Sequence, residues 1–191
     1  MLLASYTGMP LEAGLDEAGR GCLAGPVFAA AVILPPELAL PGLNDSKQLS
    51  ARRREQLREL ICRHAVAWAV AEASPEEIAS INIAQASYLA MHRAVSNLGV
   101  VPAHLVVDGN RFKPYPGVAH TCLVKGDAKY LNIAAASVLA KTFRDDRMRE
   151  LHAEFPDYGW SQNAGYPTAL HRNAIRAHGP TLHHRMGFRL L

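Results

Sequence analysis

The sequence predicts an α/β domain with a mixed central sheet and helices on its faces. Three observations carry this. Apolar runs of strand length recur, with Val27–Leu34 (VFAAAVIL) the strongest. Helix-start signals stand between later runs, at Ser50 and at Ser74-Pro75-Glu76-Glu77. Strands lead, and helices and strands then alternate.

In order, residues 1–11 read as a short lead-in and Glu12 to Asp16 as the first strand. Val27 to Leu34 suits a strand buried on both faces, stopped by Pro35-Pro36. Ser50 can cap a helix from Ala51 to about His64, with Leu57, Leu60, Ile61 and His64 on one stripe. Arg52, Arg53 and Arg54 lie at the wrong end of that helix for its dipole, which a nearby anion or plain solvation could offset. Ala65 to Ala73 reads as a strand. Ser74, Pro75 and Glu77 form a capping box for a helix that should end at Gly99. Ile78, Ile81, Tyr88, Met91 and Val95 share its inner face, and His92 near that face is a packing histidine before it is a ligand. His104–Val107 and Ala119–Val124 are further strands. A helix from about Leu131 to Glu154 has a small-residue face, Ala134, Ala135, Ala136, Ser137 and Ala140, able to pack close to a sheet. Phe155-Pro156-Asp157-Tyr158-Gly159 breaks the pattern, and a last helix runs from about Pro167 to Ala177.

The 191 residues make one domain, with about 156–191 as a basic helical extension. The 49% hydrophobic content supplies a core without disulfides. Cys22, Cys62 and Cys122 have no metal-site spacing, and a reducing cytoplasm fits them. The N-terminus has no signal-peptide pattern, and no apolar run is long enough to span a membrane. Net charge is only +3, but no acidic residue follows Asp157. That tail carries Arg172, Arg176, Arg185 and Arg189 with His171, His178, His183 and His184, either a polyanion-attracting face or a solvated basic helix.

The chemistry centres on Gly14-Leu15-Asp16-Glu17-Ala18-Gly19-Arg20-Gly21-Cys22-Leu23-Ala24-Gly25-Pro26. An Asp-Glu pair alone is usually structural. Here it ends an apolar strand, where buried carboxylates need a partner or a metal. The flanking glycines let backbone N–H groups approach a ligand. Asp108 and Asp127 also follow apolar strand runs. Convergence of Asp16, Glu17, Asp108 and Asp127 would make an all-oxygen site suited to Mg²⁺ or Mn²⁺ and not to zinc. Such a site can hold two ions about 4 Å apart for phosphate-ester hydrolysis. Adjacent strand residues point to opposite faces, so Asp16 and Glu17 share one site only if the strand ends or twists there.

These residues resemble the signature of ribonuclease HII. So do Asn44-Asp45-Ser46-Lys47, Val107-Asp108-Gly109-Asn110, Lys125-Gly126-Asp127-Ala128-Lys129, Ala134-Ala135-Ala136-Ser137 with Ala140-Lys141 and Arg144-Asp145, Gly165-Tyr166-Pro167-Thr168, and His184-Arg185. The ordered set spans about Gly14 to Phe188. The resemblance implies a ribonuclease H-like fold with a C-terminal helical extension. It implies that Asp16, Glu17, Asp108 and Asp127 are catalytic metal ligands. Gly19, Arg20 and Gly21 match the element that senses the ribose 2′-OH and adjacent phosphate, and Tyr166 the tyrosine that packs on the next sugar. Lys47 and, more weakly, Arg185 match contacts to the substrate backbone.

The activity so implied is metal-dependent cleavage of the RNA strand of RNA–DNA hybrids and cutting 5′ of single ribonucleotides in duplex DNA. It leaves 3′-OH and 5′-phosphate ends and serves ribonucleotide removal, by a monomer. Ribonuclease HIII, with an extra N-terminal domain and another residue between the two glycines, fits Arg20 less well. Asn132 and Thr142-Phe143 depart from the family pattern, and Asn132 leaves nearby substrate contacts open. Asp145 and Asp146 read as helix-face ion-pair partners, with a second role for Asp145 as the alternative. Lys129 and Lys141 read as solvated or paired.

Overall fold

The computed structural model describes residues 2–38, 40–43, 46 and 49–191. Its sheet has five strands: β1 (Glu12–Ala18), β2 (Val27–Ile33), β3 (Ala67–Ala73), β4 (His104–Asp108) and β5 (His120–Leu123). The order is β3-β2-β1-β4-β5. β1 and β3 both run antiparallel to β2, whereas β4 is parallel to both β1 and β5. The sheet is therefore mixed. All seven residues of β2 are buried, as its unbroken apolar run required.

Helices cover both faces. α2 (Pro75–Ser96) packs on one, against Leu15, Ala29, Ala31 and Val107. α1 (Ala51–His64) and α3 (Leu131–Glu154) pack on the other, against Ala30 and Val32. Each large aliphatic side chain so buried contributes roughly 1.5–3 kcal/mol. The small face of α3 is buried throughout. It lies so close to β1 that a Cβ on Gly14 would stand 2.2 Å from the Asn132 carbonyl carbon. Asn132 then bonds both neighbours: its amide donates to Glu12 O at 3.0 Å, and its Oδ1 accepts from Leu34 N at 3.1 Å.

The capping box of α2 is formed, with Ser74 Oγ accepting from Glu77 N at 3.2 Å and Glu77 Oε2 accepting from Ser74 N at 2.9 Å. The helix is not continuous, however. Asn82 has φ 66° and ψ 164°, and its Oδ1 accepts from Ala84 N and Gln85 N as a second N-cap would. This break rotates Ile81 out of the expected inner face, leaving it exposed. In α1, Leu57 and Ile61 are buried but the predicted stripe ends there, with His64 exposed. Arg54 spends its charge on the carbonyls of Ser46 and Leu49.

Beyond Phe155 come a 3-10 turn (Pro156–Tyr158), α4 (Trp160–Asn163) and α5 (Ala169–His178). They close a third core with Leu23, Ala24, Met148 and Leu151. Only part of the basic extension is exposed: Arg176, His178 and Arg189 face outward, with Arg172 partly so. His171, His184 and Arg185 are buried in it, because Trp160, Tyr158 and backbone carbonyls supply their partners. No helix among the described residues is long and apolar enough to cross a membrane.

Candidate active site

Strand register brings the first two acids together. β1 and β4 pair Leu15 with Val107, so the next residues, Asp16 and Asp108, lie side by side. Both follow the pleat onto the α3 face, the face of Gly14. Asp127 arrives from a 3-10 turn (Gly126–Ala128) after β5. Lys125 enters that turn with φ 56° and ψ 42°, and Gly126 N donates to Asp108 Oδ1 at 2.7 Å. Gly126 leaves no room for a side chain, since a Cβ would come within 2.6 Å of Ile133 Cδ1. One oxygen from each of Asp16, Asp108 and Asp127 lies within 4.8 Å of the others.

Like charges this close resist full ionisation. Burial, then the charges of Glu17 and Asp108, push the Asp16 carboxyl well above the usual carboxylate range. The Ser137 hydroxyl and the Glu17 N–H, 2.7 Å from Asp16 Oδ1, only partly oppose this. The donor set is hard oxygen alone, and a divalent cation is the partner that fits it.

Glu17 follows Asp16 inside β1, which continues to Ala18, yet it stays beside the acids: its charge raises the Asp16 carboxyl and it lines the cavities on both sides of them. It meets Arg20 Nη1 at 3.0 Å. Gly19 has φ +95°, and a Cβ there would overlap Arg144 Nε at 1.9 Å. Gly21 has open space around it. Together with Ser137, Lys141 and Tyr166, this turn lines a cavity of about 270 Å³ beside the acids. Tyr166 is 41% exposed, and Lys141 Nζ lies 6.0 Å from its ring centre.

Residues 13–190 match the ribonuclease HII family. The chain belongs to this family. A ribonuclease HII of Parabacteroides distasonis is 62% identical over 191 residues, covering all of this chain and 96% of the relative. The RNase HII of Archaeoglobus fulgidus, solved in complex with PCNA, is 29% identical with TM-score 0.78, covering 95% of this chain and 96% of that one. The ribonuclease H2 of Pyrococcus horikoshii OT3 shares the fold at 24% identity and TM-score 0.79, covering 94% of each chain. Ribonucleases HII are endonucleases that act on the RNA of RNA–DNA hybrids, and the fold here is the ribonuclease H-like one.

Against the family signature, the structure divides the expected site residues. Asp16, Asp108 and Asp127 converge; Glu17 and Arg20 stand at the rim as a pair; Gly19, Gly21 and Tyr166 line the adjoining cavity. Lys47 lies outside the described residues. Arg185 corrects its sequence reading. It is 0% exposed, and its guanidinium donates to Gly25 O at 2.9 Å and Arg20 O at 3.0 Å. It holds the glycine-rich turn from below and presents nothing to a duplex backbone.

Arg144 was not foreseen in this role. It donates to the carbonyls of Pro26, Ala24 and Ala164, tying the turn to the segment before Tyr166. The available signal was three glycines, Gly19, Gly25 and Gly165, each at a close approach to Arg144, Met148 or Ala24. Asn132, the departure from the family pattern, is buried between β1 and Leu34 and does not face the cavity.

Proposed function

We propose that residues 1–191 act as one monomeric catalytic domain of the cytoplasm. It hydrolyses the RNA strand of RNA–DNA hybrids and cuts 5′ of single ribonucleotides in duplex DNA. It leaves 3′-OH and 5′-phosphate ends and so begins ribonucleotide removal. The observation that carries this is the convergence of Asp16, Asp108 and Asp127 within 4.8 Å, beside the Arg20 turn and Tyr166.

Asp16, Asp108 and Asp127 would hold Mg²⁺ or Mn²⁺, as two ions, with Glu17 completing the set from the rim. Bound there, the metal supplies Lewis acidity for the attacking water and the departing 3′-oxygen. The chain's own part is positioning. The Gly19-Arg20-Gly21 turn offers N–H groups and a guanidinium to the ribose 2′-OH and neighbouring phosphate, and the 2′-OH is what separates RNA from DNA at a site. Tyr166 packs on the following sugar and favours deoxyribose. The 2′-OH is recognised and does not attack.

The test is a labelled DNA duplex with one internal ribonucleotide, incubated with and without Mg²⁺ or Mn²⁺, with end groups mapped. One metal-dependent cut 5′ of the ribonucleotide, with 3′-OH and 5′-phosphate ends, is expected. An all-DNA duplex should survive. Cyclic 2′,3′-phosphate products would overturn the mechanism.

A further inference from the structure

A second, larger cavity of about 850 Å³ opens on the other side of the acids. It shares Glu17 and Arg20 with the Tyr166 cavity and adds Asp108, Arg111, Lys113 and Gln85. Its outer wall is the loop that follows β4. That loop is held firmly: His92 Nε2 lies 2.8 Å from Lys113 O, and the Phe112 ring meets Tyr88, His92 and His120 edge-on at 5.1–6.0 Å between centres. Packing Phe112 inward leaves its neighbours, Arg111 and Lys113, exposed on the cavity. Neither forms an ion pair among the described residues. Two unpaired cations on a rigid loop, across a cavity from a carboxylate cluster, form a graded electrostatic track.

A nucleic-acid strand crossing the acids must leave on both sides. If Tyr166 takes the deoxyribose that follows the ribonucleotide, on the 3′ side of the scissile phosphate, as proposed above, the strand on the 5′ side of the cut enters the larger cavity. We infer that Arg111 and Lys113 bind the phosphodiester backbone of the cleaved strand on the 5′ side of the cut. They are positioning residues: they set where the strand lies and leave the reacting atoms to others. Backbone contacts of this kind fix register and carry no sequence information.

This rests on the nuclease reading, and the experiment separates the two. Wild type, Arg111→Ala/Lys113→Ala and Arg111→Lys are assayed on duplexes with one ribonucleotide and either long flanks, a 5′ flank cut to one nucleotide, or a 3′ flank equally cut. Thermal melting checks that each variant folds. For the double variant KM on the long substrate should rise about tenfold with little change in kcat, and the slope of log affinity against log salt should flatten by about 2, one per phosphate lost. The 3′-truncated substrate should show the same rise, and the 5′-truncated one almost none. Arg111→Lys should keep most of the affinity. Equal KM and salt slope for wild type and double variant, or a penalty that ignores which flank is removed, would overturn the inference. If wild type cuts while the double variant matches it, only this inference falls. If wild type cuts no ribonucleotide-bearing duplex, the nuclease reading falls and takes this one with it.

Discussion

Two of the places where the molecule buries charge are treated in opposite ways. At the ends of β1 and β4, carboxylates are brought against one another, and burial with mutual repulsion pushes the Asp16 carboxyl upward. Behind the glycine-rich turn, Arg144 and Arg185 are equally buried, but their guanidinium groups face backbone carbonyls of Arg20, Ala24, Gly25, Pro26 and Ala164. Removing a partner orphans buried polar atoms in the arginine region and relieves repulsion in the acidic one. The same physical cost is thus left open where a cation is to enter and largely closed where a loop must stay still, Arg185 Nη2 being the guanidinium nitrogen there without a hydrogen-bond partner among the described residues.

Neutralising an acid should give the largest effect on function and the reverse effect on stability. Asp16→Asn or Asp108→Asn is expected to lower cleavage by at least about a thousandfold, since charge stabilisation is lost at the reacting phosphate. Without added metal, the melting temperature of Asp16→Asn should exceed that of wild type, and added Mg²⁺ or Mn²⁺ should narrow the gap. A variant that cuts normally, or that melts lower than wild type in metal-free buffer, would break the contrast on its acidic side.

The arginine side predicts the opposite sign. Arg144→Ala leaves three carbonyls without their donor, at about 1–3 kcal/mol each less what water restores, so a loss of roughly 3–5 kcal/mol is expected in urea unfolding. Arg144→Lys should recover little, because one ammonium cannot span acceptors on Ala24, Pro26 and Ala164 as a planar fork does.

These two regions were not equally legible in the sequence. The acids were visible because each follows a strand run, and β2, the Ser74–Glu77 capping box and the small face of α3 were visible because their signals are local. Only the pairing of β1 with β4 shows that Asp16 stands beside Asp108. Arg144 lies in a helix next to Asp145 and Asp146, where spacing suggests a surface ion pair. Its real partners lie 118 and 120 residues earlier and 20 residues later, so nothing in its own neighbourhood announces them. Asn82 was hidden for another reason. The apolar pattern of α2 runs across it, and the break is decided by the side-chain bonds Asn82 makes to Ala84 and Gln85.

The histidines of the extension sharpen the comparison through pH. Trp160 Nε1 donates to His171 Nε2 at 3.0 Å, which places the His171 proton on Nδ1, toward Tyr166 O at 2.9 Å. His184 Nε2 lies 3.2 Å from His171 Nε2, and His184 Nδ1 accepts from Thr181 N at 2.8 Å. Burial disfavours the charged form of both rings, and protonating His184 Nδ1 would break its bond from Thr181 N. Burial, aided by His171, pushes His184 down to about 4. The unfolded chain takes up this proton near the ordinary value of 6.5, so its stabilising contribution is complete above about 6.5 and is lost as pH falls toward 4. The loss across that window is on the order of 3 kcal/mol. Urea midpoints measured from pH 8 to pH 4 should follow this fall, and His184→Gln should flatten it, with His171 and His183, both lowered chiefly by burial, leaving a residual slope. Because His171 holds the Tyr166 carbonyl, preference for a ribonucleotide–deoxyribonucleotide junction should weaken along with stability.

The smallest effect belongs to charges that water still reaches. Lys141 Nζ and Asp145 Oδ1 are 2.6 Å apart at i,i+4, each with about a quarter of its side chain exposed (22% and 26%). Such a pair is worth about 0.3–0.5 kcal/mol and fades with salt. Asp145→Asn should therefore cost no more than that in urea unfolding. Lys141, however, also lines the Tyr166 cavity, so freeing it from Asp145 alters how a cation meets the incoming strand. Cleavage by Asp145→Asn should stay within about threefold of wild type, and its KM should fall, since the ammonium no longer divides its charge between a carboxylate and a phosphate. A loss of several kcal/mol or of a hundredfold in rate would mean that Asp145 serves the acidic site directly, and the line between open and closed charge would have to be redrawn through α3.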